Sequence, residues 1–170
     1  MLQKCSQIKV LGVFFKEPTK IHFIKEISKE IKLAPTSVRN HIRELLKDGM
    51  IKKKKSEPFD GFIANRENTD FLFYKRVYNF YSLKNLTNFI VSECYPKTVI
   101  LFGSYSRGED IETSDIDLVI VSKQKTRIDV KKFEKDTERT INIMAVRSLE
   151  ELEDNIKKKV ANGIILHGGI

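Results

Sequence analysis

The stretch that most constrains this chain is residues 98–122, TVILFGSYSRGEDIETSDIDLVIVS. Val99, Ile100, Leu101 and Phe102 form an unbroken apolar run, the pattern of a buried strand. Gly103-Ser104 breaks it, because glycine allows backbone angles and close approaches that other residues resist. After ten residues come Asp115 and Asp117, which lead into a second run, Leu118-Val119-Ile120-Val121. Residues two apart on a strand share a face, so the two carboxylates point the same way with backbones about 6–7 Å apart. Adjacent carboxylates repel unless positive charge lies between them. A divalent cation resolves this, and hard oxygen ligands favour Mg2+ or Mn2+. With a phosphate-tolerant Gly-Ser turn on the neighbouring strand, the stretch implies a site for a metal-bound nucleoside triphosphate.

A chain of 170 residues buries a proper core as one domain or two small ones. Its apolar share is that of a globular protein, and its apolar runs are too short for a bilayer. The N-terminus has lysines inside its apolar stretch and no small-residue cleavage site, so no signal peptide is expected. Cys5 and Cys94 lie far apart without metal-ligand spacing and read as reduced thiols of a cytoplasmic protein. His22, His41 and His167 are scattered and read as structural or exposed, not as zinc ligands. The charge is divided unevenly. Residues 1–67 carry 15 Lys/Arg against 8 Asp/Glu, whereas residues 98–170 carry 12 against 13. A basic module joined to a near-neutral one suggests that the first meets a polyanion.

Three helices are expected in the basic part. Ile8, Leu11 and Phe15 mark the first, over residues 3–15. Phe23, Ile24, Ile27 and Ile31 mark the second. The third starts at Pro35, which suits a first helical turn, and carries Val38, Ile42, Leu45 and Leu46. Its other face offers Thr36, Ser37, Arg39, Asn40, Arg43 and Lys47, and Asp48-Gly49 closes it. Two short strands follow around a turn, the first holding Lys52 to Lys55. The phrase SVRNHIRELLKDGMIKKKK resembles the recognition helix and wing entry of the winged helix-turn-helix family. That resemblance covers about the first 65 residues; winged helices bind double-stranded DNA or a protein partner, and the basic helix and wing favour DNA. Arg39, Asn40 and Arg43 then face base edges in the major groove. Ser37 meets phosphate near the helix start. Lys53 and Lys55 approach the flanking backbone from the wing.

Residues 68–94 read as one longer helix rich in aromatics, capped by Asn68 or Thr69. Its aromatic stripe is expected to pack as core between two domains, or as a dimer surface. Tyr95-Pro96 ends it. Beyond the opening stretch, residues 123–127 read as a charged loop and 128–138 as an amphipathic helix with Val130 and Phe133 inward. Residues 140–146 read as a third strand. Ser148 is expected to cap one further helix by a capping box with Glu151, with Leu149, Leu152 and Ile156 inward. A last short strand covers 163–168.

Gly103-Ser104, ten residues, then Asp115-Ile116-Asp117 matches the Gly-Ser-x10-Asp-x-Asp signature of the DNA polymerase β-like nucleotidyltransferases. Arg107-Gly108, Ser114 and the apolar strand after Asp117 are similar to the minimal members of prokaryotes. The resemblance covers 98 to about 168 and implies a mixed sheet flanked by helices, with the site at one sheet end. The fold class is therefore α+β. The expected domains are a winged helix-turn-helix over 1–67, a linking helix over 68–96 and a minimal nucleotidyltransferase-like domain over 97–170. The resemblance further implies that Gly103 and Ser104 cradle the β- and γ-phosphates and that Arg107 neutralises phosphate charge. It makes Asp115 and Asp117 the catalytic pair and the holders of Mg2+ or Mn2+.

In that family a third carboxylate, from the following strand, completes the metal site and helps deprotonate the acceptor. Here the matching position is Asn142, whose amide carries no charge and cannot act as a base near neutral pH. Glu138, four residues earlier and roughly 13 Å along an extended strand, does not replace it. Three functions are open at this point. One is a DNA-binding nucleotidyltransferase that moves a nucleoside monophosphate from an Mg-NTP to a protein or small-molecule hydroxyl. It would be antitoxin-like, with a HEPN-type toxin as the partner the resemblance implies. Another is a transcriptional regulator whose impaired domain senses nucleotide or forms a homodimer. The last, antibiotic modification, leaves the basic module without a role.

Overall fold

The computed structural model describes residues 5–123 and 128–169. Most of the charged loop expected over 123–127 therefore falls outside the described residues. The architecture is α+β: helices and a small hairpin first, then helices around a four-stranded mixed sheet. Met1–Lys75 forms one compact unit and Arg76–Ile170 another. Among the described residues no helix is long and apolar enough to cross a membrane.

In the first unit α1 (Ser6–Lys16), α2 (Ile24–Ile31) and α3 (Pro35–Lys47) pack on one another. Val10, Leu11, Val13, Phe14 and Phe15 of α1 are buried, as are Ile27 of α2 and Val38, Ile42 and Leu45 of α3. The α3 set recurs at helical spacing, so one stripe is inward and the opposite face is left to solvent. Pro35 occupies the first turn, where its missing N–H breaks no bond. β1 (Ile51–Lys54) and β2 (Gly61–Ala64) form an antiparallel hairpin with Ile51 opposite Ala64. His22 extends it by bridging Phe62, its N–H donating to Phe62 O at 2.8 Å and its carbonyl accepting from Phe62 N at 2.9 Å. Gly61 makes this approach possible: a Cβ there would stand 2.3 Å from Ile21 Cγ2. Buried His22 bonds through Nε2 to Glu17 O at 2.9 Å and meets the Phe14 ring edge-on. Three helices and a hairpin in this order are the winged arrangement read from the sequence.

α4 (Thr69–Ser82) begins with the expected cap, Asn68 Oδ1 accepting from Phe71 N at 2.8 Å. The single helix expected over 68–94 is two, because the chain breaks at Leu83 before α5 (Lys84–Cys94). The Leu83 N–H reaches back to Phe80 O at 3.3 Å, and its side chain is buried in the core of the second unit. The break explains why apolar residues over this stretch cover more than one face. The aromatic stripe is not all core: Phe71 is buried, whereas Phe73, Tyr74, Phe80 and Tyr81 are exposed.

The second unit is built on β3 (Thr98–Phe102), α6 (Gly103–Arg107), β4 (Ile116–Val121), α7 (Lys131–Thr137), β5 (Ile141–Val146), α8 (Asp154–Ala161) and β6 (Ile164–Gly168). The sheet runs β5-β4-β3-β6; β3 is antiparallel to β4 and β6, and β4 is parallel to β5. Alternation divides the strands between two cores. Val99, Leu101, Ile116, Leu118 and Ile120 pack with Leu86 and Ile90 of α5, and Phe133 of α7 joins them. Ile100, Phe102, Val119 and Val121 pack on the other face with Leu152 and Val160. The helix expected after Ser148 differs. A 3-10 turn, Leu149–Glu151, precedes extended Leu152, and α8 starts only at Asp154. The capping box is absent, since Glu151 Oε2 accepts from Arg147 N at 3.0 Å and Ser148 makes no side-chain cap. α7 likewise starts at Lys131, later than expected.

Tyr105 of α6 is 6% exposed and shares a hydrogen bond with Ser82 Oγ at 3.0 Å. Burial pushes its phenol up to about 12, only partly opposed by the Ser82 bond. Below pH ~10 the hydroxyl is protonated in both folded and unfolded chains. Above that the unfolded chain ionises first, so stability falls as pH rises from about 10 to about 12, by roughly 2 kcal/mol. Denaturant melts across this window are expected to lose most of that slope in Tyr105→Phe.

Candidate active site

The burial that fixes the sheet also aims the site. Ile116, Leu118 and Ile120 face α5, so Asp115 and Asp117 lie on the opposite side of β4. Asp117 is half-buried and Asp115 exposed. β5 runs parallel alongside, in a register that sets Asn142 directly beside Asp117. The Asn142 Nδ2 donates to Asp115 Oδ2 at 3.2 Å and to Asp117 Oδ1 at 3.1 Å. The side chain that β5 sets beside the two aspartates is thus an amide. Glu138 is excluded by location: it ends α7 in a left-handed conformation, before β5 begins.

On the other side of β4, Phe102 pairs with Asp117, which brings the start of α6 to the carboxylates. Gly103 has φ 79, and a Cβ there would stand 2.7 Å from Asp117 Oδ2. Only glycine lets this backbone lie against the carboxylate. The next N–H groups open a helix and have no intrahelical acceptor. Ser104 is half-buried, and its carbonyl accepts from Glu109 N at 3.0 Å. Arg107 stands at the far end of α6, exposed, with Nε donating to Glu109 Oε2 at 2.7 Å. The structure therefore gathers Gly103, Ser104, Asp115 and Asp117 at one sheet end, and ties Arg107 to a neighbouring carboxylate.

Sequence reasoning missed what holds the loop between α6 and β4. Buried Asn79 donates through Nδ2 to Tyr105 O at 2.9 Å and to Asp110 Oδ1 at 2.8 Å. These partners lie 26 and 31 residues away, so no local pattern announces them. The Ser114 turn, by contrast, is local: its Oγ accepts from Ile111 N at 2.9 Å, and its N–H donates to Ile111 O at 3.0 Å.

The residues present fit a divalent cation. Two carboxylates converge on one face, neither has an ion-pair partner among the described residues, and a glycine leaves space beside them. Among the described residues no group of three or more His, Cys, Asp and Glu forms, so the oxygen ligands on offer are two carboxylates and the amide of Asn142. Hard oxygen donors suit Mg2+ or Mn2+.

The exposed face of α3 shows Arg39, Asn40 and Arg43, with Ser37 half-buried. Lys53 and Lys55 are exposed on and after β1. None of these six has an intramolecular side-chain partner among the described residues, whereas Lys52 is held by Glu67 at 2.7 Å.

Comparison with known proteins matches both units. A family model for the nucleotidyltransferase domain matches residues 83–167, half of the chain, and one for winged helix-turn-helix DNA-binding matches 24–52. A curated relative from Methanocaldococcus jannaschii, named "Putative protein adenylyltransferase", is 39% identical over 62 residues. That match covers 32% of this chain and 42% of the relative.

Proposed function

This chain belongs to the nucleotidyltransferase domain family and carries a winged helix-turn-helix ahead of that domain; on that premise we propose that it binds an Mg-NTP and transfers a nucleoside monophosphate to a hydroxyl while bound to DNA. The observation that carries this reading is the convergence of Asp115 and Asp117 beside the Gly103 turn. Asp115 and Asp117 hold the cation, Mg2+ or Mn2+. When bound, that ion supplies charge stabilisation at the α-phosphate and at the leaving pyrophosphate. Gly103 and Ser104 present N–H groups and a hydroxyl to the β- and γ-phosphates. Arg107, once released from Glu109, adds a cation at the outer phosphates. ATP is the first nucleotide to test and a protein hydroxyl the first acceptor, following the name of the archaeal relative. A HEPN-type toxin in the cytoplasm fits an antitoxin-like role, in which the DNA-binding unit regulates expression.

Asn142 favours a second reading. No group at that position accepts a proton from the acceptor hydroxyl near neutral pH. The domain would then hold nucleotide without transferring it and act as a sensor or a dimerisation unit for a DNA-binding regulator. Incubation with labelled ATP, Mg2+ and candidate acceptors separates the two. Label transferred by the wild type supports the enzyme. Label transferred only by Asn142→Asp supports the sensor, and none from either chain removes transfer from the account.

A further inference from the structure

The amide of Asn142 does more than stand where a carboxylate is absent. Ionised carboxylates only accept hydrogen bonds, so the NH2 end must face them. It gives one N–H to Asp115 Oδ2 at 3.2 Å and the other to Asp117 Oδ1 at 3.1 Å. The parallel register sets the Asn142 backbone beside Asp117, within reach of both carboxylates. No Lys or Arg pairs with either aspartate among the described residues, so these two N–H bonds are the side-chain contacts that bridge the carboxylates.

We infer that Asn142 is a positioning residue, a latch that bridges Asp115 and Asp117 in the metal-free chain and limits the site to one divalent cation. This inference rests on the metal-nucleotide reading above. The NH2 group occupies the space between the carboxylates and must leave before they hold a cation. Its withdrawal sets the two N–H bonds against the gain from metal binding, which weakens uptake. With two carboxylates and one neutral oxygen, the site has too little negative charge to hold two divalent ions side by side. Metal binding and release are then coupled to a rotation of one exposed side chain.

The test is Mn2+ binding to the full chain without nucleotide, read by the EPR signal of free Mn2+ and by thermal melts. Wild type, Asn142→Ala, Asn142→Asp and Asp115→Ala plus Asp117→Ala are compared. The wild type is expected to bind one Mn2+. Asn142→Ala is expected to bind one Mn2+ about five-fold tighter, since loss of the two competing N–H bonds outweighs loss of one weak, neutral oxygen ligand. Its metal-free melting temperature falls, and its metal-induced rise grows. A merely structural asparagine would lower both melts together, which overturns the latch. Asn142→Asp is expected to bind the first ion more than ~10-fold tighter and to take up a second. Equal affinity in wild type and Asn142→Ala overturns the latch while the metal site stands. Two ions in the wild type overturn the one-ion limit. No Mn2+ bound by any chain overturns the metal reading, and the latch with it.

Discussion

Replacing Asp115 and Asp117 together by alanine is expected to remove the metal-dependent stabilisation by NTP and to lower any nucleotidyl transfer by about 10³-fold or more. These are the two carboxylates that the end of β4 brings beside the Gly103 turn. Without them the site keeps one neutral amide, which cannot hold a hard divalent cation in competition with water. The lost charge stabilisation at the phosphates is worth several kcal/mol, which sets the size of the rate effect. The fold should be spared. Asp115 is exposed, Asp117 is half-buried, and neither belongs to the apolar cores on the two sheet faces. Removing them relieves mutual repulsion and gives up the two Asn142 bonds, so stability is expected to change by less than about 1 kcal/mol. The measurement is a thermal melt with and without ATP and Mg2+, beside the label-transfer assay. A double variant that melts like the wild type, yet still gains stability from Mg-ATP, would place the nucleotide elsewhere.

Most of that site was legible because its signals are short-range. Val99 to Phe102 and Leu118 to Val121 are apolar runs of strand length, the first ended by Gly103-Ser104, and they form β3 and β4. The two-residue period placed Asp115 and Asp117 on one side. The parallel partner strand was legible as a strand, and the motif comparison indicated Asn142, but the hydrogen bonds that join it to both aspartates come from register. Other features lay beyond local pattern. The break at Leu83 follows from that side chain entering the core beside Leu86 and Ile90, so packing overrode a continuous helical stretch. The capping box at Ser148 had the right residues at the right spacing. The chain instead turned extended at Leu152, which is buried with Val119 and Val160, and α8 started two residues later. Asn79, Tyr105 and Asp110 meet only through tertiary structure. The aromatic stripe of α4 shows the same limit from the opposite side. Its composition suggested core, but four of its rings face solvent, because aromatic content does not say which face a neighbour covers.

The other large effect concerns DNA. Arg39→Ala plus Arg43→Ala is expected to weaken binding to the cognate duplex by about 100-fold or more, since each arginine bonded to a base edge contributes about 1–3 kcal/mol. α3 separates its roles by face. Val38, Ile42 and Leu45 are buried, whereas Arg39, Asn40 and Arg43 are exposed and have no intramolecular partner among the described residues. Their removal therefore costs no internal bond, and thermal stability should hold within about 0.5 kcal/mol. The wing makes a different demand. Lys53 and Lys55 are exposed and unpaired among the described residues, so their replacement should weaken binding to all sequences alike. The salt slope should fall by about one for each phosphate that the wing no longer neutralises. Lys52 is already engaged with Glu67, and Lys52→Ala should change the slope less than Lys53→Ala. Titrations at several salt concentrations, on cognate and unrelated duplexes, distinguish these outcomes. Affinity that ignores both the arginine pair and the salt would assign this winged helix to a protein partner, because an exposed basic helix without salt-dependent DNA binding has another surface to meet.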